Sequence, residues 1–269
     1  AEHQQFIHSD WKKSRDSFLI DGLLADTLSF RIDLPKSEWW VVFWMDAGLE
    51  DSNTVSISIN GEQRKPGLQS FTPTAEERTE IQKIYRVVQQ KVKTNQDKLS
   101  FTLTNSADKV RLLGFAVLPQ PKALNGPEIR QVSQQLEEAG RFNSKKDLDE
   151  VVQAIRALPD KQEYEHFKAY WLLQLKILQK AEMYFNYRGW SWATEKTGIG
   201  LFDHLHQAVM LYDGLLQHSE ARQNPLYERA LWYRGRLLYW LWLERGTYRE
   251  KNAAFQDLEK MKTIQPDDP

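Results

Sequence analysis

The segment richest in groups that could do chemistry is Tyr184-Phe185-Asn186-Tyr187-Arg188-Gly189-Trp190-Ser191-Trp192-Ala193-Thr194-Glu195. Aromatic rings offer flat apolar faces to sugar C–H groups, while Asn, Arg and Glu can bond hydroxyls or carboxylates. Asn186, Tyr187, Arg188, Trp190, Trp192 and Glu195 are therefore the candidate ligand-binding residues for a glycan or a peptide. The same Trp190 and Trp192 would also serve to close a core between two helices, since Trp is mostly buried in folded chains. Asp203-His204-Leu205-His206 has the composition of a metal cluster but the wrong spacing. On a helix, residues two apart point about 200° apart, and the i, i+4 histidine pair of helical zinc sites is absent. Asp46, Glu50, Asp51 and Asn53 form an oxygen-rich loop between two apolar runs, the kind of donor set that can hold Ca2+ or remain solvated. With no cysteine in 269 residues, disulfides, thiol catalysis and Cys-ligated zinc are excluded. Neither a Gly-rich phosphate loop nor a Gly-x-Ser-x-Gly elbow occurs. No catalytic constellation emerges.

The elements that must position these residues fall into two textures. From Ser17 to Leu118 the chain reads as strands: Ser17–Ile20, Leu28–Leu34, Trp39–Met45, Thr54–Ile59, Tyr85–Lys93, Lys98–Leu103 and Val110–Leu118. Turn residues between them include Asp21-Gly22, Asn60-Gly61 and Pro66-Gly67. Thr74–Lys83, rich in Glu and Arg, suits a short helix or a polar loop. The run Trp39–Met45 is apolar at every position. Side chains alternate on a strand, so Trp40, Val42 and Trp44 face one way and Trp39, Val41, Phe43 and Met45 the other. Such a strand requires cover on both faces.

Pro119 to Pro127, with three prolines and a glycine, suppresses helix and ladder alike and marks a boundary. Beyond it the apolar period changes from 2 to 3.6. Six helices follow, marked by Ile129–Ala139, Leu148–Leu158, Tyr164–Phe185, Leu201–Leu215, Leu226–Leu241 and Ala254–Met261. Pro225 sits at the first turn of the fifth, with Asn224 as its cap. In that fifth helix Trp232, Tyr233, Tyr239, Trp240 and Trp242 fall on more than one face, which fits a central, core-packed helix.

The strand order, carried by Asp21-Gly22-Leu23, Phe30–Pro35, Trp39–Met45, Val55–Gly61, Val88–Val92, Lys98–Leu103 and Val110–Pro119, resembles a galactose-binding-like β-sandwich. This is the jelly-roll class that includes many carbohydrate-binding modules, and the resemblance covers residues 17 to 119. It implies a glycan-type binding surface and a structural Ca2+ at Asp46, Glu50, Asp51 and Asn53, with no other cofactor. Ala230-x-x-Tyr233-x-Gly235-x-x-Leu238, then Gly246-x-Tyr248, Ala253-Ala254 and Pro266-Asp267, resembles a tetratricopeptide repeat. That likeness implies a helical stack that docks a peptide or protein.

The expected fold class is α+β, multidomain. An antiparallel jelly-roll sandwich over 1–119 is joined by a Pro-rich linker, 120–127, to an all-α helical-hairpin stack over 128–269. The net charge of −1 gives no global field for nucleic acid or an anionic membrane, and no apolar run is long enough to span a bilayer. The expected role is non-catalytic recognition of a polysaccharide, an oligosaccharide or a protein. The expected setting is the N-terminal region of a larger exported bacterial polysaccharide-processing protein, periplasmic or extracellular. The alternative is a polysaccharide lyase or glycoside hydrolase fragment whose helices begin an α/α toroid, with Tyr187, Arg188 and His204 as its first site candidates.

Overall fold

The computed structural model describes residues 4–7, 21–46, 55–64, 85–94, 97–105, 109–120, 124, 126–142, 144–186, 201–216, 220–245 and 248–264. Nine strands come first: β1 (Gln4–Ile7), β2 (Asp21–Ala25), β3 (Thr27–Ile32), β4 (Glu38–Asp46), β5 (Val55–Ile59), β6 (Glu62–Arg64), β7 (Tyr85–Lys93), β8 (Leu99–Asn105) and β9 (Val110–Pro119). Six helices follow: α1 (Pro127–Gly140), α2 (Leu148–Arg156), α3 (Gln162–Asn186), α4 (Leu201–Leu216), α5 (Tyr227–Arg245) and α6 (Tyr248–Ile264). The chain is thus α+β, with two antiparallel sheets and six helices among the described residues. One sheet has the order β1-β2-β9-β4-β7, the other β3-β8-β5-β6.

The two faces of β4 show why it is apolar throughout. Val41, Phe43 and Met45 join Leu28, Ile57, Phe101 and Leu112 in a core between the sheets. Val42 and Trp44, with Val87 and Leu113, belong instead to a second core shared with the helices. The sheet is therefore covered on both sides, as its sequence requires. A bulge keeps β9 in phase with both cores. Its register on β4 slips between Trp44↔Gly114 and Met45↔Leu112, so Leu112 and Val117 both face the inter-sheet core although they are an odd number of residues apart.

Helix α4 lies against β7 through a bare patch of backbone. A methyl group added at Gly214 would stand 2.7 Å from Val87 Cβ and 3.0 Å from its carbonyl oxygen. Beside this contact Gln89 donates to the Gly214 carbonyl at 3.0 Å and exchanges side-chain hydrogen bonds with Gln174 of α3. Gly214→Ala is expected to push α4 off the sheet and cost about 1–3 kcal/mol by overpacking, measured by chemical denaturation.

Several local expectations are corrected. Asp21-Gly22 is not a turn but the start of β2, held between β1 and β9; tertiary pairing overrides the turn propensity. Asn60-Gly61 is a turn, with both residues at positive φ (51° and 83°), and it closes a hairpin onto β6. The short strands β1 and β6 lie outside the apolar runs that mark strands in the sequence. Asn224 is not the cap: its Oδ1 accepts from Leu226 N–H at 2.9 Å in the turn ahead of the helix, which starts at Tyr227, so Pro225 precedes the helix as well. Ser17–Ile20, Pro66-Gly67 and Thr74–Lys83 lie outside the described residues.

Candidate functional site

Two buried arginines tie helix α5 to α1, α3, α4, α6 and the segment before α2. Arg229 forms a bidentate pair with Glu182 of α3 at 2.6 and 3.0 Å and donates to the carbonyls of Ala139 at the end of α1 and Lys146 before α2. Arg234 grips both carboxylate oxygens of Asp257 on α6 at 2.7 and 2.8 Å and also bonds Asp213 of α4. Burial disfavours the Arg234 charge, yet the two carboxylates outweigh it and hold its pKa above the ordinary value. Gly235 lets α6 come close, with Asp257 Cβ 3.3 Å from where a methyl would sit.

Residues two apart on a helix point about 200° apart, so the clamp that turns Arg234 inward turns Arg236 outward. Arg236, Tyr239, Trp240 and Leu243 follow at i, i+3, i+4 and i+7 along one stripe of α5, exposed except at the partly buried Trp240. With Phe185 of α3 and Leu258 of α6 they line a groove of about 300 Å³. Tyr239 is 41% exposed, Leu243 58% and, next to them on α6, Phe255 46%. Trp242 links the rings, its centroid 5.4 Å from Tyr239 and 6.4 Å from Phe255. Lys251 Nζ sits 5.0 Å over the Trp242 ring, and the Arg236 guanidinium 5.7 Å over Trp232. Large exposed side chains gathered this way mark an interaction surface. The aromatic residues of α5 are therefore only partly core: Tyr239 faces solvent, as does Leu243 beside it, against the expectation of core packing.

A second, larger hollow of about 1000 Å³ lies where α1 ends and α2 and α5 begin. Its lining mixes Glu137, Glu138, Asp147 and Glu150 with Arg141, Lys145 and Lys146. Lys146 and Glu150 are paired at 2.6 Å. A hollow with both signs of charge and internal pairs selects no one class of ligand.

Lys180 on α3 is the one described lysine that burial pushes down to about 8 from its ordinary 10.5. At pH 7 it is charged in both states, and the folded chain carries the desolvation cost. Between pH 8 and 10.5 the unfolded chain still holds the proton, so stability at this site rises with pH. Lys180→Met is expected to stabilise at pH 7 by on the order of 1–3 kcal/mol. That gain should shrink as the pH rises through the same window, as denaturation at pH 7 and pH 10 would measure.

Of the residues picked from sequence, Asn186 closes α3, while Tyr187, Arg188, Trp190, Trp192 and Glu195 lie outside the described residues. Asp46 ends β4; Glu50, Asp51 and Asn53 lie outside the described residues. His204 lies in α4. Among the described residues no group of three His, Asp or Glu is placed to hold a metal ion. No described helix is long and apolar enough to cross a membrane. Phe185 is the described residue that connects the sequence-selected segment to the groove.

No model of a known protein family matches the sequence, and no curated protein matches it. A solved structure is similar over part of the chain: a calcium-binding mutant of β-glucuronidase 2 from Bacteroides uniformis, at 15% identity with a TM-score of 0.32. The likeness covers 44% of this chain and 14% of that one.

Proposed function

We propose that this chain is a non-catalytic recognition protein, or the N-terminal recognition region of a larger exported bacterial polysaccharide-processing protein. In this reading residues 1–119 are a galactose-binding-like jelly-roll sandwich, 120–127 a linker, and 128–269 a tetratricopeptide-like helical stack that docks a protein. The observation that carries it is the open aromatic groove of α5 and α6, held by a buried arginine clamp that leaves Tyr239 and Leu243 facing water.

The open face of the four-stranded sheet supports placing the main docking surface on the helices. Its core positions are Leu28, Ile57, Phe101 and Leu103, so by alternation Ser29, Ser58, Thr102 and Thr104 point outward. Ser29 and Thr102 share a hydrogen bond across the strands at 3.1 Å. That face offers hydroxyls and no ring among its described residues, so a sugar has no stacking platform there. A glycan contact on the sandwich would fall to its loops, with Asp46, Glu50, Asp51 and Asn53 as the Ca2+ donors. The segment Asn186–Glu195, with Tyr187, Arg188, Trp190 and Trp192, would extend the helical surface.

A thermal-shift screen of the intact protein against oligosaccharides, soluble polysaccharides and peptides, with and without Ca2+, tests the reading. Native-state binding raises the melting temperature by mass action. At least one ligand class should raise it, and Leu243→Asp should abolish the rise for a groove ligand without changing the protein's own melting temperature. Turnover of a labelled polysaccharide by the protein alone would contradict a non-catalytic role.

A further inference from the structure

We infer that the groove on α5 and α6 takes an acidic amphipathic helix of a partner protein; this rests on the recognition reading above. The occupant follows from what the groove can and cannot satisfy. Its described lining holds Phe185, Tyr239, Trp240, Leu243 and Leu258, and the only charge among the described lining residues is Arg236. An extended peptide brings a row of backbone N–H and C=O groups that must find partners. Apart from one guanidinium, the Tyr239 hydroxyl and the Trp240 indole N–H, the described lining side chains offer none. A sugar would bring hydroxyls with the same demand. A helix satisfies its own backbone and asks only for apolar contact.

The spacing fits that occupant. Arg236, Tyr239, Trp240 and Leu243 stand at i, i+3, i+4 and i+7 on α5, and Lys251, Phe255 and Leu258 at i, i+4 and i+7 on α6. These rows are the ridges between which a third helix seats its own i, i+3, i+4, i+7 anchors. The α5 row begins in an exposed cation at the edge of the apolar patch, Arg236. Its guanidinium complements a carboxylate flanking the apolar face of an incoming helix and disfavours a basic one.

The test is selection of a displayed library of 20-residue peptides on the intact protein, with counter-selection on the Leu243→Asp variant. Enrichment of sequences with apolar residues at i, i+3, i+4 and i+7 and Glu or Asp beside them is expected. A synthetic copy should gain helicity on binding and lose at least tenfold in affinity with Leu243→Asp. Its affinity should also fall several-fold with Arg236→Gln. Enrichment of extended or basic peptides that still need Leu243 would overturn this inference and leave the docking reading standing. No Leu243-dependent peptide, with a glycan binding the groove instead, would overturn the helical partner. A concentration-dependent dimer dispersed by Leu243→Asp would assign the face to a second copy of the chain and overturn it too. No Leu243-dependent ligand of any kind would overturn both the inference and the docking reading.

Discussion

Arg234→Ala should destabilise the protein by about 3–5 kcal/mol, because it removes the buried cation shared by two buried carboxylates, and the partly exposed Lys260, 3.7 Å from Asp257, replaces little of it. Asp257 has a side chain only 1% exposed and Asp213 one of 10%. The loss comes from stranded charge more than from lost attraction. A control separates the two. Replacing Arg234, Asp213 and Asp257 together by Met and Leu residues of similar volume should recover most of the loss, since a buried ion cluster seldom outperforms good apolar packing. Chemical denaturation of both variants measures this. A loss below about 1 kcal/mol for Arg234→Ala would mean that the clamp is not buried as described.

Phe101→Ala should cost a similar amount, about 3–5 kcal/mol, for a different reason. Phe101 is 1% exposed and its ring lies 5.0 Å from Phe30, 4.9 Å from Phe43 and 5.0 Å from Phe115. Removing it empties the centre of the inter-sheet core and breaks three ring contacts, each worth about 0.5–1.5 kcal/mol beyond burial. The two variants lie in different cores, yet β4 contributes to both. Both should therefore shift one unfolding transition, seen alike by Trp fluorescence and by far-ultraviolet circular dichroism. Two separated transitions would contradict the shared packing of sheet and helices.

Much of this architecture was legible in the residues. The all-apolar β4 demanded cover on both faces and has it, and the apolar positions of α1, α2 and, from Leu205 onward, α4 are buried where periodicity places them. The clamp was not legible. Nothing in the sequence marks Arg229 and Arg234 for burial, since arginine is mostly exposed, and their acidic partners are on other helices, which only the tertiary fold brings together. One signal was present: α5 is apolar on more than one face, and a charge on such a helix has few places to go except inward. The groove was missed for the converse reason. Tyr239 and Trp242 looked like core because aromatic residues usually are, but α5 has more apolar surface than its neighbours can cover. The bulge in β9 leaves little trace beyond the adjacent pair Leu112-Leu113 and Gly114, which breaks the alternation.

The account's central claim is that the outward face of α5 is a binding surface rather than uncovered core. The most direct measurement is the dissociation constant of the strongest thermal-shift or display ligand for wild type and Leu243→Asp, beside the melting temperatures of the two unliganded proteins. The expected result is an affinity loss of about tenfold or more, as for a contact near the centre of an interface, with stability unchanged to about 0.5 kcal/mol, as for a surface substitution. Equal affinity in the two proteins, or a loss explained by a fall in stability, would contradict it.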